Sequence, residues 1–172
     1  MGVQSSFGFT LGRMEKGRLN KITDVPGVRV GHVTRHEGDI NTGVTAILPH
    51  TGDMFHDKCP AASHVINGFG KSIGLVQVNE LGTIETPLLL TNTLSVGTAA
   101  TALVKYMLER NEDIGRDTGT VNPMVFECND GHLNDIRGLH VTEQNALDAL
   151  ANAADDFEEG AVGAGSGMSC YS

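Results

Sequence analysis

The sequence predicts a layered α/β domain whose helices pack on antiparallel sheets. Apolar segments of strand length recur at residues 28–34, 43–48, 74–78, 87–91 and 124–127. Residues 96–110, and a stretch from Thr142 to about Glu159, carry apolar side chains at helical spacing. The order is strands, helix, strand, helix and a glycine-alanine-rich end, without the regular alternation that a doubly wound parallel sheet requires.

The elements follow from local pattern. In 28–34, Val28, Val30 and His32 alternate with Arg29, Gly31 and Val33, so the strand is only partly amphipathic. A polar stretch containing Glu37-Gly38-Asp39 separates it from 43–48, and residues 49–53 (PHTGD) read as a turn. GLVQV at 74–78 and PLLLT at 87–91 read as strands joined by a connection over 81–86. The helix over 96–110 has Ser95 as its expected N-cap and turns Ala99, Leu103, Tyr106 and Met107 to one side. MVFE at 124–127 reads as a short buried strand. In the last helix Thr142 is the cap, Ala146, Leu147, Leu150, Ala153, Ala154 and Phe157 form the buried stripe, and Gly160 takes the C′ position.

Composition narrows the function. The chain carries 22 glycines and no Trp, so its core is built from Val, Ile, Leu and Ala, with tight turns and close backbone approaches. The formal charge of −9, with no basic run, argues against nucleic acid as a partner. Three widely spaced cysteines, Cys59, Cys128 and Cys170, form no C-x-x-C pair and point to buried thiols in a reducing, cytoplasmic setting. No secretory signal is visible, and the apolar stretches are too short to span a membrane. MGVQSS fits a myristoylation pattern at Gly2 and Ser6, but nothing basic follows, so a short flexible start is the better reading.

Several stretches invite chemistry. GAVGAGSG lacks the Lys-Ser/Thr that would make it a phosphate loop, and no G-x-S-x-G motif marks a nucleophile. His32, His36, His50, His56 and His64 match no metal-ligand spacing and read as surface or turn residues. The densest polar cluster is FECNDGHLNDIRG at 126–138, between a strand and a helix, where α/β proteins often carry binding residues. An Asx-turn loop that satisfies its own backbone explains the same composition equally well. Asn92, at a strand end before the long helix, reads either as a site residue or as a pre-cap, and NGFGK at 67–71 as a glycine hairpin.

LNKITDVPGVRVGHVT (19–34), NTGVTAILPH (41–50), HVINGFGKSIGLVQVNELGTIETPLLLTNT (64–93), ECNDGHLNDIRGLHVT (127–142) and EEGAVGAGSGM (158–168) together resemble the DmpA-like family of L-aminopeptidase/D-esterases, which includes the β-peptidyl aminopeptidases. The resemblance implies an αββα sandwich, incomplete in this chain, and an N-terminal-nucleophile hydrolase. In that family the precursor cuts itself before a serine, which then attacks the substrate. The self-cleavage point lies beyond the GAVGAGTGM-type segment, so the resemblance implies that the nucleophile belongs to a second chain. Ser166, Ser169 and Ser172 are not expected to replace it. It further implies a 1–18 extension, a first-chain segment over 19–172, no metal or other cofactor, and an oligomer of processed pairs. GAVGAGSGMSCYS then reads as a buried strand and turn.

The site residues carried by the resemblance are Glu127, which would receive the substrate's free amine, and Asn129 and Asp130, which would line the pocket. His132 stands where the family pattern N-D-x-Y-L-N-D has a tyrosine, so imidazole would replace a phenol there. The substrate would be a peptide or an aminoacyl amide or ester. A non-catalytic binding or assembly module, and an acyltransferase of related fold, are the competing readings.

Overall fold

The computed structural model describes residues 12–170, so the myristoylation pattern, the first eleven residues of the expected extension and Ser172 lie outside the described residues. Two long strands, β1 (Arg29–Glu37) and β2 (Ile40–Leu48), form an antiparallel hairpin at the start. Short strands β3 (Cys59–Pro60) and β4 (Ser72–Ile73) lead to helix α1 (Leu75–Leu81). Then come β5 (Thr83–Ile84), β6 (Leu88–Thr91), helix α2 (Val96–Arg110), β7 (Met124–Glu127) and helix α3 (Glu143–Ala151). The main sheet has the order β1-β2-β6-β7-β4, and β3 pairs with β5 in a separate two-stranded sheet. Every pairing is antiparallel except β6 with β7, which run parallel because α2 returns the chain between them.

Side-chain alternation divides the main sheet into two faces. Val44, Ala46, Leu89 and Val125 meet Ala99, Leu103, Ala146 and Leu150 of α2 and α3 in the main core. On the opposite face Met124 joins Met54, Val78 and Ile84 beneath α1 and the β3–β5 pair. Of the expected sandwich, the described residues thus form the five-stranded sheet with the helical layer of α2 and α3 on one face and the small β3–β5 sheet and α1 on the other.

The expected helix over 96–110 forms over those residues, and the short strand at 124–127 likewise. Thr142 caps α3 as expected, its hydroxyl accepting the Asn145 amide at 3.3 Å while Asn145 Oδ1 accepts the Thr142 amide at 3.0 Å. Ser95 occupies the cap position of α2, but its side chain makes no capping bond. Instead Asn92 Oδ1 accepts the Ser95 amide at 2.9 Å and caps a single 3-10 turn, Thr93–Ser95, that leads into the helix.

Several expectations are corrected. The stretch 74–78 is helical, because Gly74 (φ 101°) and Gly82 (φ 67°) bracket it in left-handed conformations and Gly82 donates to the Val78 carbonyl at 2.9 Å. Its apolar residues do not alternate: Leu75 and Val78, three apart, face the core beside Met124, and Val76 is 85% exposed. The connection over 81–86 contains β5, paired with β3.

Helix α3 stops at Ala151 rather than near Glu159. The free edge of β1 captures the chain: Val30 and Ala154 exchange backbone hydrogen bonds of 3.0 Å in both directions. Ala153, Ala154 and Phe157 therefore leave the helical stripe, and Gly160 (φ 113°) turns a loop rather than closing a helix.

The glycine-rich end forms a 3-10 turn, Gly163–Gly165, with no strand. It sits on β1 and β2, with the Gly163 amide donating to Thr34 Oγ1 at 2.8 Å and the Ala164 amide to Thr45 Oγ1 at 3.0 Å. NGFGK is an Asx-turn, Phe69 donating to Asn67 Oδ1 at 2.9 Å, rather than a hairpin between paired strands. The thiols are also less buried than expected: Cys59 and Cys128 are half-buried and Cys170 is exposed.

Gly43 marks where the terminal turn meets the sheet, since a Cβ there would collide with the carbonyl oxygens of Val33 and Gly163. Gly97, inside α2, has nothing within 4 Å of that position. Gly43→Ala is therefore expected to lower unfolding free energy by about 1–3 kcal/mol. Gly97→Ala is expected to raise it by roughly 0.5–1 kcal/mol, both read from denaturant melts.

Candidate active site

The C-terminal ends of β6 and β7 lie side by side, with Thr91 opposite Glu127. The Cys128 amide donates to the Thr91 carbonyl at 2.7 Å and extends the parallel pairing one residue past the strand. The chain leaves β6 as Asn92–Ser95 and β7 as Cys128–Asp135, so two polar loops emerge together. Parallel strands fed by a helix commonly gather binding groups in this way.

Asn92 is 2% exposed, with both ends of its side-chain amide engaged: Nδ2 donates to Thr42 Oγ1 at 3.2 Å, and Oδ1 takes the Ser95 amide. Asp130 is 1% exposed. Its Oδ2 accepts Asn134 Nδ2 at 3.1 Å, and Asn134 Oδ1 in turn accepts the Asn41 amide at 2.9 Å. The Asp135 amide donates to Asp39 O at 2.9 Å, so the loop is clamped onto the tip of the β1–β2 hairpin. Burial raises the Asp130 carboxyl pKa above the ordinary 3.8, while the polar side chains of Thr42, Asn134 and Asn92 oppose that rise.

Asn129 is exposed, with Oδ1 accepting the Gly131 amide at 3.0 Å and its carbonyl accepting the Ser169 amide at 2.9 Å. That bond ties the glycine-rich end to the site loop. His132 is exposed on the outer turn of the same loop. Burial, together with the charges of Asp130 and Glu127, pushes the Cys128 thiol above its ordinary value, which keeps it protonated and poorly nucleophilic.

Glu127 is half-buried, and its amide donates to the Lys71 carbonyl at 3.1 Å. Its side chain lines a cavity of about 210 Å³ with residues 64–67, 70–72 and 75 and Phe126. Five buried side-chain oxygens among the described residues have no hydrogen-bond partner. Four of them, Thr93 Oγ1, Ser95 Oγ, Glu127 Oε2 and Asp130 Oδ1, belong to the end of β7 and to the two loops that leave these strands. Buried polar atoms are nearly always paired, so this concentration marks the strand ends as the candidate site. Asn129 and Asp130 make the local turns expected of an Asx-turn loop, while Glu127 Oε2 and Asp130 Oδ1 are left without a partner.

Thr93 and Ser95 escaped the sequence reading. Their signal was two hydroxyls at the strand-to-helix turn, flanking an asparagine that was singled out. The histidines serve the scaffold: His32 bonds Thr45 Oγ1 at 2.9 Å and the Glu158 carbonyl at 3.1 Å, and His56 bridges Asp53 and Asp113 at 2.6 and 2.9 Å. No three His, Cys, Asp or Glu gather as a metal site among the described residues.

The chain belongs to Peptidase family S58, whose sequence profile matches residues 20–172. It is 38% identical over 165 residues to the beta-peptidyl aminopeptidase BapA of Sphingosinicella microcystinivorans, covering 90% of this chain and 40% of the relative. A crystal structure of a Pyrococcus horikoshii protein superposes with a TM-score of 0.93 at 54% identity, covering 96% of this chain and 50% of that one. The l-aminopeptidase d-ala-esterase/amidase from Ochrobactrum anthropi, described as a variant of the Ntn hydrolase fold, gives 0.83 at 35% identity, covering 94% and 47%. The chain therefore has the Ntn-hydrolase-type fold of these aminopeptidases and spans about half the length of the relatives it matches.

Asp130 yields a pH prediction. With its folded pKa raised, the folded chain binds more protons than the unfolded chain between 3.8 and that raised value. Its contribution is complete below 3.8 and declines as pH rises through the interval. Asp130→Asn keeps an oxygen for Asn134 and removes the charge. Thermal midpoints measured from about pH 4 to 7 should show a flatter decline in the variant, with a midpoint at pH 7 at or above the parent's.

Proposed function

We propose that this chain is the first segment of an aminopeptidase that releases N-terminal amino acids from peptides, amides or esters. The observation that carries the reading is Glu127: a carboxylate with a buried, unpartnered oxygen opens into a cavity at the ends of two parallel strands. An acceptor of this kind suits a substrate ammonium, whose N–H groups supply the missing hydrogen bond and whose charge makes it a strong one. Asn129, Asp130 and Asn92 would brace the strand ends beside that cavity, with His132 on the outer turn of the same loop.

In this reading the nucleophile is the N-terminal serine of a second segment, freed by self-cleavage. Its hydroxyl oxygen attacks the substrate carbonyl carbon as its own α-amino group or a neighbouring polar group takes the proton. The bond to the leaving amine or alcohol breaks, that group takes up a proton, and water then releases the amino acid from the acyl-enzyme. Glu127 fixes the amine end so that the carbonyl is presented in one orientation.

Membership of a peptidase family and the half-length match to aminopeptidases support this reading. It extends to an oligomer of processed pairs working in the cytoplasm. Exposed apolar side chains, Ile66 at 94%, Val76 at 85% and Phe69 at 77%, favour cover by further polypeptide. No helix among the described residues is long and apolar enough to cross a membrane.

Purified alone, the 172-residue chain should leave aminoacyl p-nitroanilides intact, and turnover by it would contradict the two-segment reading. In the protein completed with its second segment, Glu127→Gln should lower kcat/KM for free-amine substrates by about ten- to a hundred-fold, mainly through KM.

A further inference from the structure

Asn67-Gly68 is the only Asn-Gly pair in the chain, and it lies in an exposed turn. Asn67 Oδ1 accepts the Phe69 amide at 2.9 Å, and the Asn67 carbonyl accepts the Gly70 amide at 3.3 Å. Such an Asx-turn folds the side-chain amide back over the peptide that follows it, here the one joining Asn67 to Gly68. The flanking Ile66 and Phe69 are 94% and 77% exposed, so water reaches the turn from both sides.

The turn favours attack on its own side-chain carbonyl. Among the described residues neither the Gly68 amide nitrogen nor Asn67 Nδ2 has a hydrogen-bond partner, so nucleophile and leaving group are both free. The Phe69 N–H already sits on Oδ1, where negative charge develops as the carbonyl carbon becomes tetrahedral. Nothing lies within 4 Å of the position a Gly68 Cβ would take, and glycine lets the peptide rotate onto the side chain. The Lys71 ammonium, which donates to the Phe69 carbonyl at 2.8 Å, adds positive charge to the same turn and favours the deprotonated amide.

Asn129 is the natural comparison. It too is exposed, and its Oδ1 accepts the amide two residues on, from Gly131, at 3.0 Å. The residue after it, however, is Asp130, whose side chain is buried and bonded to Asn134, so the peptide there is fixed.

We propose that Asn67 is a site of spontaneous deamidation. The Gly68 nitrogen loses its proton to solvent base and bonds to Asn67 Cγ, and the Cγ–Nδ2 bond breaks. Ammonia leaves, carrying away a proton that matches the one lost, and a cyclic imide closes. Water then opens the imide at either carbonyl to give aspartate or isoaspartate, so one water is consumed for each ammonia released. Both products carry a new negative charge. Asn67 borders the cavity that Glu127 lines, and a Cβ on Gly70 of the same turn would stand 3.8 Å from Glu127 Oε1. The reaction therefore sets a second carboxylate beside Glu127, and isoaspartate also lengthens the main chain and dismantles the Asx-turn. It belongs to the segment while it is uncovered, and it does not depend on what Glu127 binds.

For the test, the 172-residue chain is held at neutral pH and physiological temperature, sampled over days and cut with trypsin, which releases residues 59–71 between Lys58 and Lys71. Mass spectrometry should show a gain of about one mass unit at Asn67, split between aspartyl and isoaspartyl forms. Its rate is expected to match or exceed that of the synthetic 59–71 peptide, and Asn129 is expected to stay unmodified. Gly68→Ala, which fills open space and leaves the fold intact, should slow the gain by about ten-fold or more. Modification of the synthetic peptide but not of the folded chain overturns the proposal. Equal modification of Asn129, or a Gly68→Ala chain that reacts as fast as the parent, overturns it as well.

Discussion

The hydrogen bond from the Cys128 amide to the Thr91 carbonyl, closing the parallel pair β6–β7, is the interaction from which the rest of the site follows. Parallel pairing requires a crossover, and α2 supplies it, covering one face of the sheet as it returns. The pairing makes both polar loops start at the same level. Asn92 then turns one loop back into α2, and Asp130 with Asn134 holds the other against Asn41 at the tip of the long hairpin. The glycine-rich end joins the same assembly from outside, through Ser169 to Asn129 and through Gly163 and Ala164 to the β1–β2 sheet. Hairpin, crossover and terminal turn are thus braced against one pair of strand ends.

Such an arrangement is energetically unfavourable at its centre. An unpaired buried polar group costs about 1–3 kcal/mol by mutational measures, and four of them sit at the end of β7 and in these two loops. The main core offsets that cost, with Val44, Ala46, Leu89, Ala99, Ala102, Leu103 and Val125 all at 0% exposure directly beneath. The raised Asp130 carboxyl reflects the same tension, because its charge is held where solvent cannot reach it. Open acceptors maintained against this cost are what a substrate with N–H donors would satisfy.

The sequence disclosed the parts of this design that depend on local pattern. The helix at 96–110 was legible because its stripe and length agree, and the strand at 124–127 because a four-residue segment as short as MVFE cannot be a stable helix. GLVQV misled because a short apolar run has no decisive period, and its two flanking glycines fix the outcome through backbone conformation rather than hydrophobicity. The last helix ends before its sequence pattern does, because the Ala153–Ala154 pair suits a helix equally well while the edge of β1, far away in sequence, claims Ala154 for itself. In the site, Glu127, Asn129 and Asp130 were visible as a dense polar block, and Asn92 as a polar residue at a strand end. Thr93 and Ser95 were not, since an unpaired hydroxyl is a property of packing. The exposed position of His132 likewise follows from how the loop is clamped, which composition does not encode.

Native-state hydrogen exchange at the Cys128 amide tests the central claim most directly. If the parallel pair governs the site, this amide exchanges only through global unfolding, with protection within about ten-fold of Val125 and Leu103. Exchange as fast as that of the Gly68 turn amide would mean that the strand ends open locally, and that the polar loops are not held in a fixed arrangement.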